Sequence, residues 1–256
     1  MFINNINPDI IIIGPFSIRF YGIVYALGFL LVAYILSKQA EKKRIKNLSK
    51  DMALDIVIYG MISGLIGARI FHVLSEFSLY KDNLLNIFAI WQGGLGFLGG
   101  LIAALGFVYY YCRKHNIEAL KLLDFVAMPT AFILFLGRIA NYMNSEHIGY
   151  PSNVNWCVVF EKVDAACRHP AQIYEALSML ILFFILILFY NKWKHKTGLL
   201  FYHFIAIYGL ARFITDYFRQ QNIFLLGLTH TQIISMIMVI IGSYQIYKIN
   251  RKKVKS

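Results

Sequence analysis

Seven long apolar runs, separated by short polar loops, restrict what this chain can fold into. With soft boundaries they cover residues 20–37, 54–74, 95–112, 122–138, 172–190, 198–215 and 229–247, and Lys, Arg, Asp and Glu are nearly absent from their middles. An α-helix rises about 1.5 Å per residue, so about 20 apolar residues cross a bilayer core. The runs predict an all-α integral membrane protein, a single polytopic domain over 1–256 with seven transmembrane helices. Only 15% of the residues are charged, against about 25% in a soluble domain. The first run does not read as a cleavable signal. No basic residue precedes it until Arg19, it is long, and a basic cluster follows it.

The net charge of +12 would suggest nucleic acid as a partner of a soluble protein. Its placement argues for orientation instead, and no nucleic-acid partner is expected. Loop 38–50 holds six Lys/Arg, loops 113–121 and 191–197 hold three each, and the tail 248–256 holds five. All 17 lie on one side of a seven-span topology. The positive-inside rule makes that side cytoplasmic, which puts the N-terminus outside (periplasmic in a two-membrane cell) and the C-terminus inside.

With the spans oriented, polar side chains gather at their outer ends. Arg19 and Tyr21 open span 1, and Arg69 and His72 close span 2. Gln92-Gly93-Gly94 precedes span 3, and Arg138 and Asn141 close span 4. Gln172, Tyr174 and Glu175 open span 5, Tyr208, Arg212 and Asp216 close span 6, and His230, Thr231 and Gln232 open span 7. At the cytoplasmic ends Asp51, Asp55 and Asp124 read as helix-start residues favoured by the helix dipole.

Tyr208, Arg212, Asp216 and Arg219 are spaced by four, four and three residues, so they share one helical face. Arg212 and Asp216 can neutralise each other within such a ladder. Adding Arg69, Arg138 and Glu175 at the same depth leaves positive charge in excess, which an anion would balance. Arginine suits phosphate because its planar fork donates two parallel hydrogen bonds. Phosphate at headgroup depth points to an anionic lipid.

Glycines 93, 94, 96, 99 and 100 form a dense run, and Gly60, Gly64 and Gly67 a second set. Small residues at this spacing permit close helix packing, the reading favoured for Gly60 and Gly64. The 93–100 run is denser than packing requires and would let a ligand approach the backbone. Cys157 and Cys167 share the loop 139–171, where a disulfide is chemically allowed and spacing alone does not decide it. Cys112 reads as an inert core thiol. No zinc spacing or HExxH pattern is present, and neither metal nor cofactor is expected.

Several segments together resemble the bacterial prolipoprotein diacylglyceryl transferase family. They are Arg19-Phe20-Tyr21-Gly22, Gly67-Ala68-Arg69, Trp91-Gln92-Gly93-Gly94 with Gly99-Gly100, Gly137-Arg138-Ile139-Ala140-Asn141 with Asn144-Ser145-Glu146 and Gly149, Arg168-His169-Pro170-Ala171-Gln172-Ile173-Tyr174-Glu175, and Tyr208-Gly209 with Arg212, Asp216 and Arg219. The resemblance implies an inner-membrane enzyme with its site toward the periplasm. It would move a diacylglyceryl group from phosphatidylglycerol to the thiol of a lipobox cysteine in a prolipoprotein signal peptide, forming a thioether and releasing glycerol phosphate. Its partners would be phosphatidylglycerol, that signal peptide and the surrounding membrane lipids. The nucleophile then belongs to the substrate, which suits a chain without a Ser-His-Asp or Cys-His signature. Carried over, Arg138, Asn141, Gly149, Arg212 and Asp216 would bind phosphatidylglycerol. Arg138, Arg212, Glu146, Tyr21 and Tyr208 would serve the reaction.

Three positions depart from the family pattern. Leu98 stands where a histidine is frequent, so either another group takes the thiol proton or the arginine field activates the thiol directly. Asp216 stands where glutamate is common, and Ser145 replaces a frequent glycine. His169 would brace span 5, and His72, His147 and His230 each read first as structural or interfacial. A transporter or binding protein for anionic lipid would use the same cationic pocket, but its internal symmetry and midplane polar residues are missing here. An intramembrane protease would need Gly-x-Ser-Gly, metal-binding histidines or paired aspartates, and none is present.

Overall fold

Each apolar run becomes a helix in the computed structural model, which describes residues 2–7, 9–13, 16–81 and 83–251. The helices are α1 (Phe20–Glu41), α2 (Lys50–Ser75), α3 (Phe97–Lys114), α4 (Ala119–Met143), α5 (Ala171–Trp193), α6 (Leu199–Asp216) and α7 (His230–Arg251). Six are long and apolar enough to cross a membrane. The exception, α3, has 18 residues and ends on Arg113-Lys114, which dilutes its hydropathy. Large apolar side chains stand exposed along the helices, Leu30 at 66% and Leu188 at 76%. Such exposure is untenable in water and ordinary against lipid. The chain is an all-α, multi-pass membrane protein. The side chains of Arg19 and Gln92 and the basic residues Lys252, Lys253 and Lys255 lie outside the described residues.

The chain divides into two compact units, Phe29–Leu122 and a second made of Met1–Gly28 with Leu123–Ser256. In the first, α2 packs on α3 through the two glycine sets. A Cβ on Gly67 would lie 2.3 Å from Ala103 Cβ, and one on Gly99 would lie 2.2 Å from Phe71 Cβ. Close helix packing therefore accounts for Gly99 as well as Gly67. Gly60, with its nearest neighbour at 3.8 Å, needs its small size far less than Gly67. Asp55 accepts from Tyr111 Oη at 2.8 Å, and Ser49 caps α2 by accepting from Met52 N at 3.1 Å.

In this first unit Arg69 is consumed by backbone. Its Nε donates to Ile87 O at 2.7 Å, Nη1 to Gly93 O and Gly94 O at 2.6 and 2.9 Å, and Nη2 to Asn86 O and Ala89 O at 2.5 and 3.4 Å. The guanidinium also lies over the Tyr80 ring. Segment 86–94 runs through the short 3₁₀ turns Leu84–Phe88 and Ile90–Gln92, and Arg69 gives all five of its donors to carbonyls of this segment. Its expected place in the cation excess is corrected accordingly.

The second unit is built on α4, α5 and α6. Ala127, Ala131, Met179, Leu182, Leu186, Leu200 and Phe204 form its buried core. Lipid is as apolar as leucine, so close packing holds these helices more than water exclusion does. Asp124 lies inside α4 instead of starting it. Its carboxylate accepts from Gly198 N at 2.6 Å and Phe201 N at 2.9 Å, so it caps the positive end of α6.

The loop expected over 139–171 is helical to Met143 and is then held by strands. Phe2–Asn4 (β1) pairs in parallel with Val158–Phe160 (β4), which pairs antiparallel with Cys167–Arg168 (β5). Asp9–Ile13 (β2) and Phe16–Arg19 (β3) form a separate hairpin. Buried Asn4 ties β1 to the end of α4 through Tyr142 O at 2.6 Å. Cys157 and Cys167 are disulfide-bonded.

Candidate functional site

Helix α4 continues past its apolar run because its polar residues serve each other on one face. Arg138 Nη1 donates to Asn141 Oδ1, one turn on, at 3.2 Å. The helix then closes with Ser145 N bonded to Tyr142 O at 3.1 Å and Glu146 N bonded to Asn141 O at 3.0 Å. This is the Schellman arrangement, whose penultimate position is left-handed and favours glycine. Ser145 holds that position with φ +58. The reversal brings the Glu146 carboxylate back over the helix end, where it accepts from Asn141 Nδ2 at 3.0 Å and Asn144 Nδ2 at 3.3 Å.

Serine at this position should cost stability. A non-glycine residue in the left-handed region costs about 1–2 kcal/mol, and the buried Ser145 Oγ has no hydrogen-bond partner. Ser145→Gly, offset by glycine's greater freedom when unfolded, should stabilise by about 1 kcal/mol. Thermal unfolding in detergent should show this as a rise of about 2–4 °C. A fall in the midpoint would contradict the strain argument.

Glu175, in the first turns of α5, was counted from the sequence as a charge but not as a site residue. It is 2% exposed. Arg138 Nε lies 2.7 Å from Glu175 Oε2, and Arg212 Nη1 pairs with Glu175 Oε1. One carboxylate thus holds two guanidinium groups from two other helices. Placing one arginine in a bilayer costs about 2.5–3.5 kcal/mol on insertion scales, so both cations require this partner. The ladder on α6 is not self-contained: Arg212 Nη2 to Asp216 Oδ1 is the longer contact at 3.4 Å.

Asp216 has other duties. It accepts from Gln221 Nε2 and from Thr229 Oγ1 at 2.5 Å. Thr229 and Gln232 exchange hydrogen bonds of 3.0 and 3.1 Å in the reciprocal pattern of a capping box. Asp216 therefore fastens the end of α6 to the start of α7.

Arg138, Glu175, Tyr208 and Arg212 line one small pocket, together with Leu134, Ser178, Met179 and Thr215. Tyr21 and Tyr25 on α1 join at 2.8 Å through their hydroxyls, and Tyr25 is within electrostatic reach of Arg138 and Tyr208. Gly149 pairs with Arg219 as an isolated bridge. A Cβ on Gly149 would lie 2.3 Å from His169 O and 2.7 Å from Phe218 O, so only glycine fits there. Arg168 Nη1 donates to Gly149 O at 3.1 Å, and Arg168 also pairs with Asp164, holding its carboxyl below the usual range.

All eight sequence-predicted site residues therefore belong to this second unit, and five of them join one chain of contacts with Glu175. Arg138 and Arg212 are balanced by Glu175 and Asp216, so the cation excess expected when Arg69 was included is absent from this group. A positive field persists nearby. His147, just past the α4 closure, has its pKa lowered to about 4 by burial and then by Arg219, Arg138 and Arg212, with Glu175 opposing them. Arg219 Nη2 donates to His147 Nδ1 at 2.5 Å. Among the other histidines, His169 Nδ1 bonds Tyr174 Oη at 3.0 Å and braces α5 as expected, and His230 stacks on Phe224 at 3.6 Å.

Comparison with known proteins adds the following. Residues 8–248 match the model of a family described as prolipoprotein diacylglyceryl transferase. A phosphatidylglycerol–prolipoprotein diacylglyceryl transferase of Rickettsia conorii is 38% identical over 97% of this chain and 98% of its own length. Proteins of the same name from Vibrio parahaemolyticus and Vibrio cholerae are 34% and 36% identical, each over 93% of this chain and 89% of their own.

Proposed function

We propose that this chain, which belongs to the prolipoprotein diacylglyceryl transferase family, moves the diacylglyceryl group of phosphatidylglycerol onto a lipobox cysteine of a prolipoprotein signal peptide. The protein is placed in the bacterial inner membrane with its site toward the periplasm, in keeping with the basic loops on the opposite side. One observation carries the reading: Arg138 and Arg212, on different helices, share Glu175 on the wall of a single pocket.

The reaction needs a bound phosphate and an activated thiol. Arg138 keeps Nη2 without a hydrogen-bond partner among the described residues, and this nitrogen faces the task of meeting a phosphodiester oxygen. Arg212, fixed by Glu175 and Asp216, adds the second charge. Asn141 and Glu146 orient Arg138, Gly149 shapes the pocket's rim, and Tyr21 and Tyr208 supply hydroxyls to the headgroup.

The thiol loses its proton to solvent, and the thiolate sulfur attacks the glyceryl carbon that bears the phosphate ester. The C–S bond forms, the C–O bond breaks, and its electron pair leaves on glycerol phosphate. The two arginines stabilise that developing charge. A free thiol has a pKa of about 8.5 and nearby cations lower it. The arginine charges that help repel a proton from His147 would also favour thiolate, and this field takes the part of a base where Leu98 replaces a histidine.

The decisive experiment supplies labelled phosphatidylglycerol and a lipobox peptide to the purified protein in liposomes. Glycerol phosphate release that depends on the peptide's cysteine is expected. Movement of lipid without any peptide, and without glycerol phosphate release, would replace this reading with lipid transport.

A further inference from the structure

We infer that His147 donates a hydrogen bond through Nε2 to the phosphate of the departing glycerol phosphate, and that Arg219 fixes the ring for this task. The inference rests on the transferase reading and extends it to a pair beyond the arginine pocket. It revises the first reading of His147 as structural or interfacial.

The tautomer follows from the hydrogen bond. A guanidinium only donates, so Arg219 Nη2 at 2.5 Å from His147 Nδ1 makes Nδ1 the acceptor. The single hydrogen of the neutral ring then sits on Nε2. That nitrogen has no partner among the described residues, and part of the residue remains open to an incoming ligand. Arg219 also keeps a buried Nε without a hydrogen-bond partner. Each member of the pair thus keeps one donor without a protein acceptor among the described residues. The buried Arg219 Nε, left unmatched, costs free energy that an incoming acceptor recovers.

The charges around the pair select an anion. Arg138 from α4, and Arg212 and Arg219 from α6 and the turn after it, act on the ring against Glu175 from α5. Glu146 precedes it in the same segment but turns toward Asn141 and Asn144. The ring stays neutral at physiological pH, with its pKa lowered to about 4. A neutral imidazole donates to an oxyanion without exchanging its proton. That suits a group whose charge grows as the C–O bond breaks. Arg219, itself lowered to about 10 by burial and Arg212, stays charged throughout.

The test compares His147→Gln with His147→Leu in the liposome transfer assay. The glutamine amide offers an oxygen to Arg219 and an N–H to phosphate, and leucine offers neither. Losing one such donor costs about 100-fold in turnover. His147→Leu should therefore lose about 100-fold in kcat with the KM for phosphatidylglycerol changed less than about threefold, and glutamine should recover most of it. Glycerol phosphate should inhibit the leucine variant at least about tenfold more weakly.

An independent readout is the NMR titration of His147 in the wild-type protein. Added glycerol phosphate should raise its pKa, because a nearby negative charge favours the imidazolium. An unmoved titration, or a leucine variant within about threefold of wild type, would overturn the inference. A wild-type protein that releases no glycerol phosphate would instead refute the transferase reading.

Discussion

Replacing Arg138 with alanine is expected to reduce transfer from labelled phosphatidylglycerol to a lipobox peptide by about 100- to 1,000-fold, the loss typical of removing one stabilising donor from a charged transition state. Among the described residues, Arg138 links the Asn141–Glu146 chain to the Glu175 carboxylate. Its removal deletes a cation from the pocket and leaves Asn141 Oδ1 without its guanidinium. Lysine should not rescue it. An ammonium is a point donor on a flexible stem and cannot span Asn141 and Glu175 in one plane while presenting a third nitrogen. The loss should fall mainly on kcat if the charge matters most as phosphate departs. Turnover of the alanine variant within about threefold of wild type would remove Arg138 from the mechanism.

The second large effect concerns stability. Glu175→Gln keeps the shape of the side chain and removes the charge shared by Arg138 and Arg212. Breaking a buried pair by deleting one partner costs about 3–5 kcal/mol, because the remaining charge stays uncompensated. Here two guanidinium groups are left facing a neutral amide. The thermal midpoint in detergent should drop by about 10 °C. Phosphatidylglycerol should restore part of the loss and phosphatidylcholine should not, since only the former brings a net negative headgroup to the freed arginines. A midpoint within about 2 °C of wild type would show that Glu175 is not the central counter-ion.

The helices could be read from the sequence, but the pairing of the polar residues at their ends could not. A bilayer forces backbone groups to bond within their own segment, so apolar run length translates almost directly into helix length. Pairing across helices has no such local signature. Arg212 and Asp216, four residues apart, looked like natural partners, yet Glu175 from α5 takes the closer place. Arg69 looked like one more site cation, and the carbonyls of 86–94 claimed it. The parallel pairing of β1 with β4 joins Phe2 to Val158, a separation no periodicity reveals. Ser145 was visible as a departure, but its meaning required the left-handed turn that closes α4.

A disulfide such as Cys157–Cys167, in the segment joining α4 to α5 beside the site, is typical of compartments where thiols oxidise. The proposed substrate offers a free thiol to that same compartment. Any cysteine waiting there is open to mixed-disulfide formation or to oxidation beyond recovery. Alkylation ends that exposure, because a thioether takes no part in thiol–disulfide exchange. The enzyme would then win a race against oxidants each time it acts, and its lipid transfer would double as the chemical protection of a reactive cysteine.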